Sequence, residues 1–168
     1  MKRLVIVLGL TLGLTRLAAP AEFRPLLTPW LVQFLKHHEG LRLRAYQDTS
    51  KQKAIGYGHR VGAKGPWRCT KEQAEKWLCR DIKASRAWVE DLVTVPLTQG
   101  QYDALTSLVF NAGPGTLKRS ELLTALNRGE YDRAGRMLSR YCKSDGRVRK
   151  GLKRRRFAEM RRYFTKEA

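Results

Sequence analysis

Glu39 and Asp48 stand nine positions apart in the stretch Glu39-Gly40-Leu41-Arg42-Leu43-Arg44-Ala45-Tyr46-Gln47-Asp48, and Ala54-Ile55-Gly56-Tyr57-Gly58-His59 follows closely. Two carboxyl groups on a short, glycine-punctuated segment are what hydrolysis of a glycosidic bond requires. One must be protonated to donate to the leaving oxygen, and the other ionised to orient or activate water. Their contexts suggest which is which. A carboxyl at a helix C-terminus faces the negative end of the helix dipole, which favours its neutral form. A carboxyl in a polar turn is under no such pressure. Glu39 is therefore the expected acid and Asp48 the expected water-side carboxylate. Taken alone, the pair is better explained by a plainer use, chance spacing or salt bridging to Arg42 and Arg44.

The elements that must hold these groups follow from local pattern. Thr28-Pro29 reads as an N-cap followed by proline in the first turn, and Leu31, Phe34, Leu35 and His38 recur at helical spacing up to Gly40. This predicts a helix over about 29–39 with Glu39 at its end. Across 41–60 the aromatic and β-branched residues Tyr46, Ile55 and Tyr57 sit among turn formers, which predicts a small hairpin-like sheet. Helical periodicity then returns. Thr70 to Gln73 has capping-box spacing ahead of Ala74, Trp77, Leu78 and Ile82, and Thr98 caps a segment with Tyr102, Leu105, Leu108 and Val109 that ends near Gly113-Pro114-Gly115. Ser120, Glu130 and roughly Lys150 open three more helical stretches. The expected fold class is α+β and mainly helical, with one small β element near its start.

Three ordered motifs are similar to one known family. Glu39-Gly-x-x-x-x-x-Tyr46-x-Asp48 with Ile55-Gly56-Tyr57-Gly58-His59 resembles the active-site signature of the phage-type lysozymes, the endolysins of glycoside hydrolase family 24. Leu97-Thr98-x-x-Gln101-x-Asp103-Ala104-Leu105 running to Phe110-Asn111-x-Gly113, and Gly151-Leu152-x-x-Arg155-Arg156-x-x-Glu159, resemble two later segments of the same family. The resemblance implies a lysozyme-like two-lobed fold, with a small N-terminal sheet lobe, a larger helical lobe and a cleft between them. It also implies muramidase cleavage of the β-1,4 bond between N-acetylmuramic acid and N-acetylglucosamine in bacterial peptidoglycan. Inversion at the anomeric carbon would follow, with the carboxyls about 6.5–9.5 Å apart. Glu39 and Asp48 carry over as the catalytic pair. Ala54 departs from the pattern, because the family commonly has threonine there, holding the attacking water.

The other chemistry-bearing residues have plainer uses. His59 is expected to partner a nearby carboxylate. His37-His38-Glu39 does not make a metal site, since adjacent histidines point to different helix faces, so neither metal nor cofactor is expected. Phe110-Asn111-Ala112-Gly113 fits either a cleft lining or a helix C-cap. Arg155-Arg156 fits a structural role, closing the C-terminal helix onto acidic groups. Cys69, Cys79 and Cys142 allow at most one internal pair. Cys69 and Cys79 would lie about 15 Å apart on a continuous helix, too far to bridge.

The first residues and the overall charge set the compartment. Met1-Lys2-Arg3, the apolar run Leu4 to Leu14 and Ala18-Ala19-Pro20-Ala21 read as an export signal or a weak signal-anchor over 1–21, ahead of a catalytic domain over 22–168. Eleven apolar residues rise only about 16 Å as a helix, short of a roughly 30 Å hydrocarbon core. The chain has 168 residues and 42% hydrophobic content, which excludes a disordered tail or a polytopic membrane protein. Its 34 Lys+Arg against 15 Asp+Glu give +19, which predicts attraction to polyanions. Residues 147 to 166 hold ten of those bases and a single acid, Glu159. With export, the expected partners are peptidoglycan and an anionic envelope or inner-membrane surface. Nucleic acid is not expected, and the protein is expected to be a monomer in the periplasm. The alternative is a cationic wall-binding or membrane-active protein with little or no glycosidase activity.

Overall fold

A computed structural model describes residues 27–47, 52–62 and 64–165. The segment 1–21 and Asp48 lie outside the described residues. Helix α1 (Pro29–Glu39) begins as its sequence predicts. Thr28 is extended at φ −68° and ψ 147°, and its hydroxyl accepts from the Leu31 N–H. Gly40, at φ 68°, ends the helix. Strands β1 (Arg42–Gln47), β2 (Lys53–Gly56) and β3 (His59–Arg60) then form an antiparallel sheet in chain order. Tyr46 pairs with Ala54 and Ile55 with His59, and the β1–β2 register is irregular between Arg42 and Tyr46. Residues 67–69 extend the other edge of β1: the Ala45 N–H donates to the Trp67 carbonyl and the Cys69 N–H to the Leu43 carbonyl.

The expected capping box at Thr70 forms, and the expected cap Thr98 makes a second box. Thr70 and Gln73 bond reciprocally at the head of α2 (Lys71–Leu92), and Thr98 and Gln101 do so at the head of α3 (Gln99–Ala112). Each box satisfies two backbone donors that a helix start otherwise leaves bare. Helix α2 is shared between two apolar clusters. Its Ala74, Leu78 and Ile82 pack with Leu31 and Leu35 of α1 and with Tyr57. Its Val89 belongs to the larger cluster, built from Leu105 and Leu108 of α3 and completed by the elements that follow.

Those elements are α4 (Pro114–Lys118), α5 (Glu121–Asn127), α6 (Tyr131–Met137), a 3-10 turn over Leu138–Arg140, the hairpin β4 (Lys143–Ser144) and β5 (Arg147–Val148), and α7 (Lys150–Tyr163). Two of them differ from the sequence expectation. Gly113-Pro114-Gly115 is not only a break. Gly113 at φ 80° ends α3, and Pro114, with no N–H to satisfy, opens α4. The second hairpin turns at Asp145 (φ 51°) and Gly146 (φ 73°), the Asp-Gly pair that a tight two-residue turn favours.

Helices α3 and α7 lie close together, and α3 also contacts α1. Gly100 permits the first approach, because a Cβ there would stand 2.5 Å from the Arg162 carbonyl oxygen. The architecture is mainly helical α+β, with a small sheet-bearing N-terminal part and a larger helical body.

Candidate active site

Glu39 is the last residue of α1, and α1 is fastened to α7 at both ends. At its start, the Thr28 hydroxyl donates to the Asp103 carboxylate over 2.8 Å while also capping α1. The same Asp103 oxygen accepts from Arg162 at 2.7 and 2.9 Å, and Asp103 is only 1% exposed. At its finish, Arg155 Nη1 donates to Glu39 Oε1 over 2.6 Å. Between these ionic clasps, Trp30 lies against Arg162 and Phe34 against Arg155, with cation-to-ring distances of 5.3 and 5.9 Å. The orientation of Glu39 is thus set by a helix whose position α3 and α7 dictate.

Behind Arg155 stands a sealed ionic cluster. Arg155 Nε donates to Glu159 Oε1 over 3.2 Å, and the Ser107 hydroxyl donates to the same oxygen over 2.6 Å. Arg156 Nε lies 3.0 Å from Glu159 Oε2 as an ion pair without hydrogen-bond alignment, and Arg156 Nη2 donates to the Asn111 side-chain oxygen over 2.8 Å. Arg155, Arg156 and Glu159 are all buried, whereas the Glu39 side chain keeps 21% of its surface exposed. Burial pushes the Arg156 guanidinium down to about 10 and pushes the Glu159 carboxyl up. Arg156, Arg155 and the Ser107 hydroxyl pull Glu159 the other way. Two guanidiniums in direct contact keep the ionised form of Glu159 as the working one.

The turn after β2 brings a second wall to Glu39. Gly58, at φ 80°, passes so near that a Cβ on it would stand 3.6 Å from Glu39 Oε2. A side chain there would meet both backbone strain and the carboxylate. Across that turn His59 takes up the expected carboxylate partner, with Nδ1 2.7 Å from Asp81 Oδ2 on α2 and the ring stacked on Trp77. Ala54 is 2% exposed in the middle of the sheet. His38 packs against Phe34 with the rings tilted by 59°, and burial, with Arg155, His37 and Arg156, brings its imidazole down to about 4.

The structure therefore converges three sequence motifs on α1. Asp103 and Asn111 come from the second, and Arg155, Arg156 and Glu159 from the third. The expected structural use of Arg155 and Arg156 is seen, but their target was not readable, since Glu39 lies 116 positions away. Asn111 holds Arg156, while Gly113 supplies the helix C-cap. Cys69, Cys79 and Cys142 are free thiols. Among the described residues no group of His, Cys, Asp and Glu has the arrangement of a metal site, and no helix is long and apolar enough to cross a membrane.

Comparison with known proteins points to one family. Residues 36–159 match the family model for phage lysozyme. The endolysin of Bacillus phage B103 is 39% identical over 140 residues, covering 82% of this chain and 53% of that protein, so the chain spans about half its length. The SAR-endolysin of Escherichia phage Mu is 33% identical over 128 residues, covering 76% of this chain and 75% of its own. Among solved structures, the muramidase domain of SpmX from Asticaccaulis excentricus superposes with a TM-score of 0.77 at 33% identity, covering 85% of this chain and all of that one. With a family model matched across residues 36–159 and relatives 33–39% identical over most of its length, this chain belongs to the phage lysozyme family.

Proposed function

We propose that the protein is an endolysin of the muramidase type, hydrolysing the β-1,4 bond between N-acetylmuramic acid and N-acetylglucosamine in bacterial peptidoglycan. The observation that carries this reading is Glu39 itself, a partly exposed carboxyl fixed at a helix end by a buried guanidinium and approached by a glycine turn. Glu39 donates its proton to the leaving glycosidic oxygen. Asp48, in the connection between β1 and β2, orients and activates the water that attacks from the opposite face. The reaction inverts the anomeric centre and needs neither metal nor cofactor.

The N-terminal segment 1–21 carries the domain 22–168 to the periplasm, first as a tether to the inner membrane or as a cleaved signal. The relationship to a SAR-endolysin favours the tether. The net charge of +19 steers the exported enzyme to the anionic envelope. N-terminal sequencing of periplasmic protein separates the two routes, with a start at Glu22 meaning cleavage and an intact Met1 meaning release.

The decisive assay is reducing sugar released from purified peptidoglycan by wild type beside Glu39→Gln. A loss of about 10²–10⁴-fold is expected, the usual worth of a positioned general acid. Undiminished sugar release by Glu39→Gln would sink the reading. Cell lysis persisting without sugar release would favour a membrane-active protein instead.

A further inference from the structure

We propose that Glu159 is a positioning residue for Glu39, holding the second face of Arg155 so that one guanidinium is divided between two carboxylates. The inference rests on the muramidase reading, in which Glu39 must carry a proton when it meets the leaving oxygen. The geometry supplies the division. Arg155 spends Nη1 on Glu39 at 2.6 Å and Nε on Glu159 at 3.2 Å. Its third nitrogen, Nη2, lies 3.4 Å from the Ser107 hydroxyl, which itself donates to Glu159.

The two carboxylates are not equivalent. Glu159 has no exposed surface, so substrate never reaches it, while Glu39 opens to solvent. A guanidinium given wholly to Glu39 would favour the ionised carboxylate, the wrong state for a proton donor. Glu159 draws part of that positive charge away. With Arg156 it completes a quartet of two guanidiniums and two carboxylates, balanced when all four are ionised. Loss of either carboxylate or either guanidinium unbalances it next to the donor.

Few other groups face the quartet. Helix α3 presents Ser107 and Asn111, both uncharged. The Cys142 thiol, ahead of β4, acts weakly on Arg156. From α1, His38 stands beside Glu39, its imidazole brought down to about 4 and therefore neutral at physiological pH. The Asp103–Arg162 pair, about one turn further along α3 and α7, is closed on itself and on Thr28.

The test is kcat/KM against pH on soluble peptidoglycan fragments, using the full chain. Glu159→Gln leaves Arg155 to Glu39 alone, and the alkaline limb of the profile moves to lower pH by roughly 0.5–1 unit. Arg156→Gln removes positive charge, and the limb moves to higher pH by a similar amount. Glu159→Asp and Arg156→Lys keep the charge and hold the limb near wild type. If Glu159→Gln does not fold, Arg156→Gln read against Arg156→Lys carries the same test. Limbs that coincide with wild type in both charge-removing variants, or that move in the same direction, overturn the proposal, because a purely structural role lowers activity equally at every pH. Undiminished activity in Glu39→Gln overturns the muramidase reading instead, whatever the limbs do.

Discussion

The two ends of α2 sit in different interiors. Toward its C-terminus, Val89 enters a cluster made of Leu105, Leu108, Leu117, Leu122, Leu126 and Leu138, all fully buried, with Tyr163 closing it. Toward its N-terminus, Ala74, Leu78 and Ile82 pack with Leu31 and Leu35 of α1 and with Tyr57; Cys69 and Phe110 lie at the margin, and ion pairs stand next to that smaller cluster. The large interior is of the kind that stabilises by area removed from water and by close packing. The small one is completed by buried charge, which adds little net stability but fixes geometry where its hydrogen bonds are satisfied. Stability and chemistry are thus divided between regions. The helical body holds the fold, and the seam between α1 and α7 holds Glu39, the proposed donor.

That division predicts opposite profiles for two substitutions of the same type. Leu126→Ala in the large cluster is expected to lower stability by about 2–5 kcal/mol, the cost of a cavity that rigid neighbours cannot refill. Its specific activity, measured well below the unfolding temperature, is expected to match wild type. Leu35→Ala, one turn before Glu39 and equally buried, is expected to cost less stability, because α1 has fewer neighbours and can settle. Its activity is expected to fall in disproportion, as the acid-bearing end shifts against Arg155. Thermal unfolding and sugar release on both variants decide the matter. Equal activity losses per unit of stability would erase the comparison.

The same division explains what could be read in advance. The starts of α1, α2, α3 and α5 were legible because a cap is local: one hydroxyl and a donor three residues on are enough. His59 was legible as a carboxylate partner, though not that Asp81 would be the one. The β4–β5 hairpin was missed because Lys143, Asp145 and Arg147 leave no apolar alternation, only the Asp145-Gly146 turn. Helix α4 was hidden by glycines on both sides of Pro114, where a breaker and a first-turn proline look alike. Type and spacing single out Glu39 as a candidate, but they do not name its partner. Glu159 pairs with Arg155 four positions away on the same helix, a local spacing, but no local pattern says that Arg155 returns to Glu39 across 116 positions. Pairings of this kind are set by how α3 and α7 pack, and that is a property of the whole chain.

A smaller effect separates the seam from the body by pH. His38 is held neutral in the folded protein by burial beside Arg155 and Arg156, its imidazole at about 4 against an ordinary 6.5. The unfolded chain therefore binds more protons than the folded one between those values, so stability falls as pH drops from about 6.5 toward 4. The contribution is fully present above that window and has been lost below it. His38→Gln, which cannot charge, is expected to flatten the slope of unfolding temperature against pH in this window while leaving the value near pH 7 little changed. A slope identical to wild type would move the acid sensitivity of the protein away from the seam.

The smallest expected effect lies on the sheet. Ala54 stands 2% exposed between Tyr46 and Arg60, at the position where the resemblance to the phage-type lysozymes leads one to expect threonine, its hydroxyl holding the attacking water. Ala54→Thr supplies that hydroxyl without leaving the conformations a strand favours, since a β-branched side chain suits the pleat. One added hydrogen bond to a bound water is worth about 0.5–1.5 kcal/mol, which corresponds to a rise of about 2- to 12-fold in sugar release. The extra atoms crowd a filled interior, so the same variant is expected to lose stability, by about 1–3 kcal/mol. A gain in rate with a loss in stability would place the catalytic water within reach of β2. A loss of both, with Glu39→Gln inactive in the same assay, would mean that Asp48 positions the water without help and that alanine is the residue the packed sheet requires.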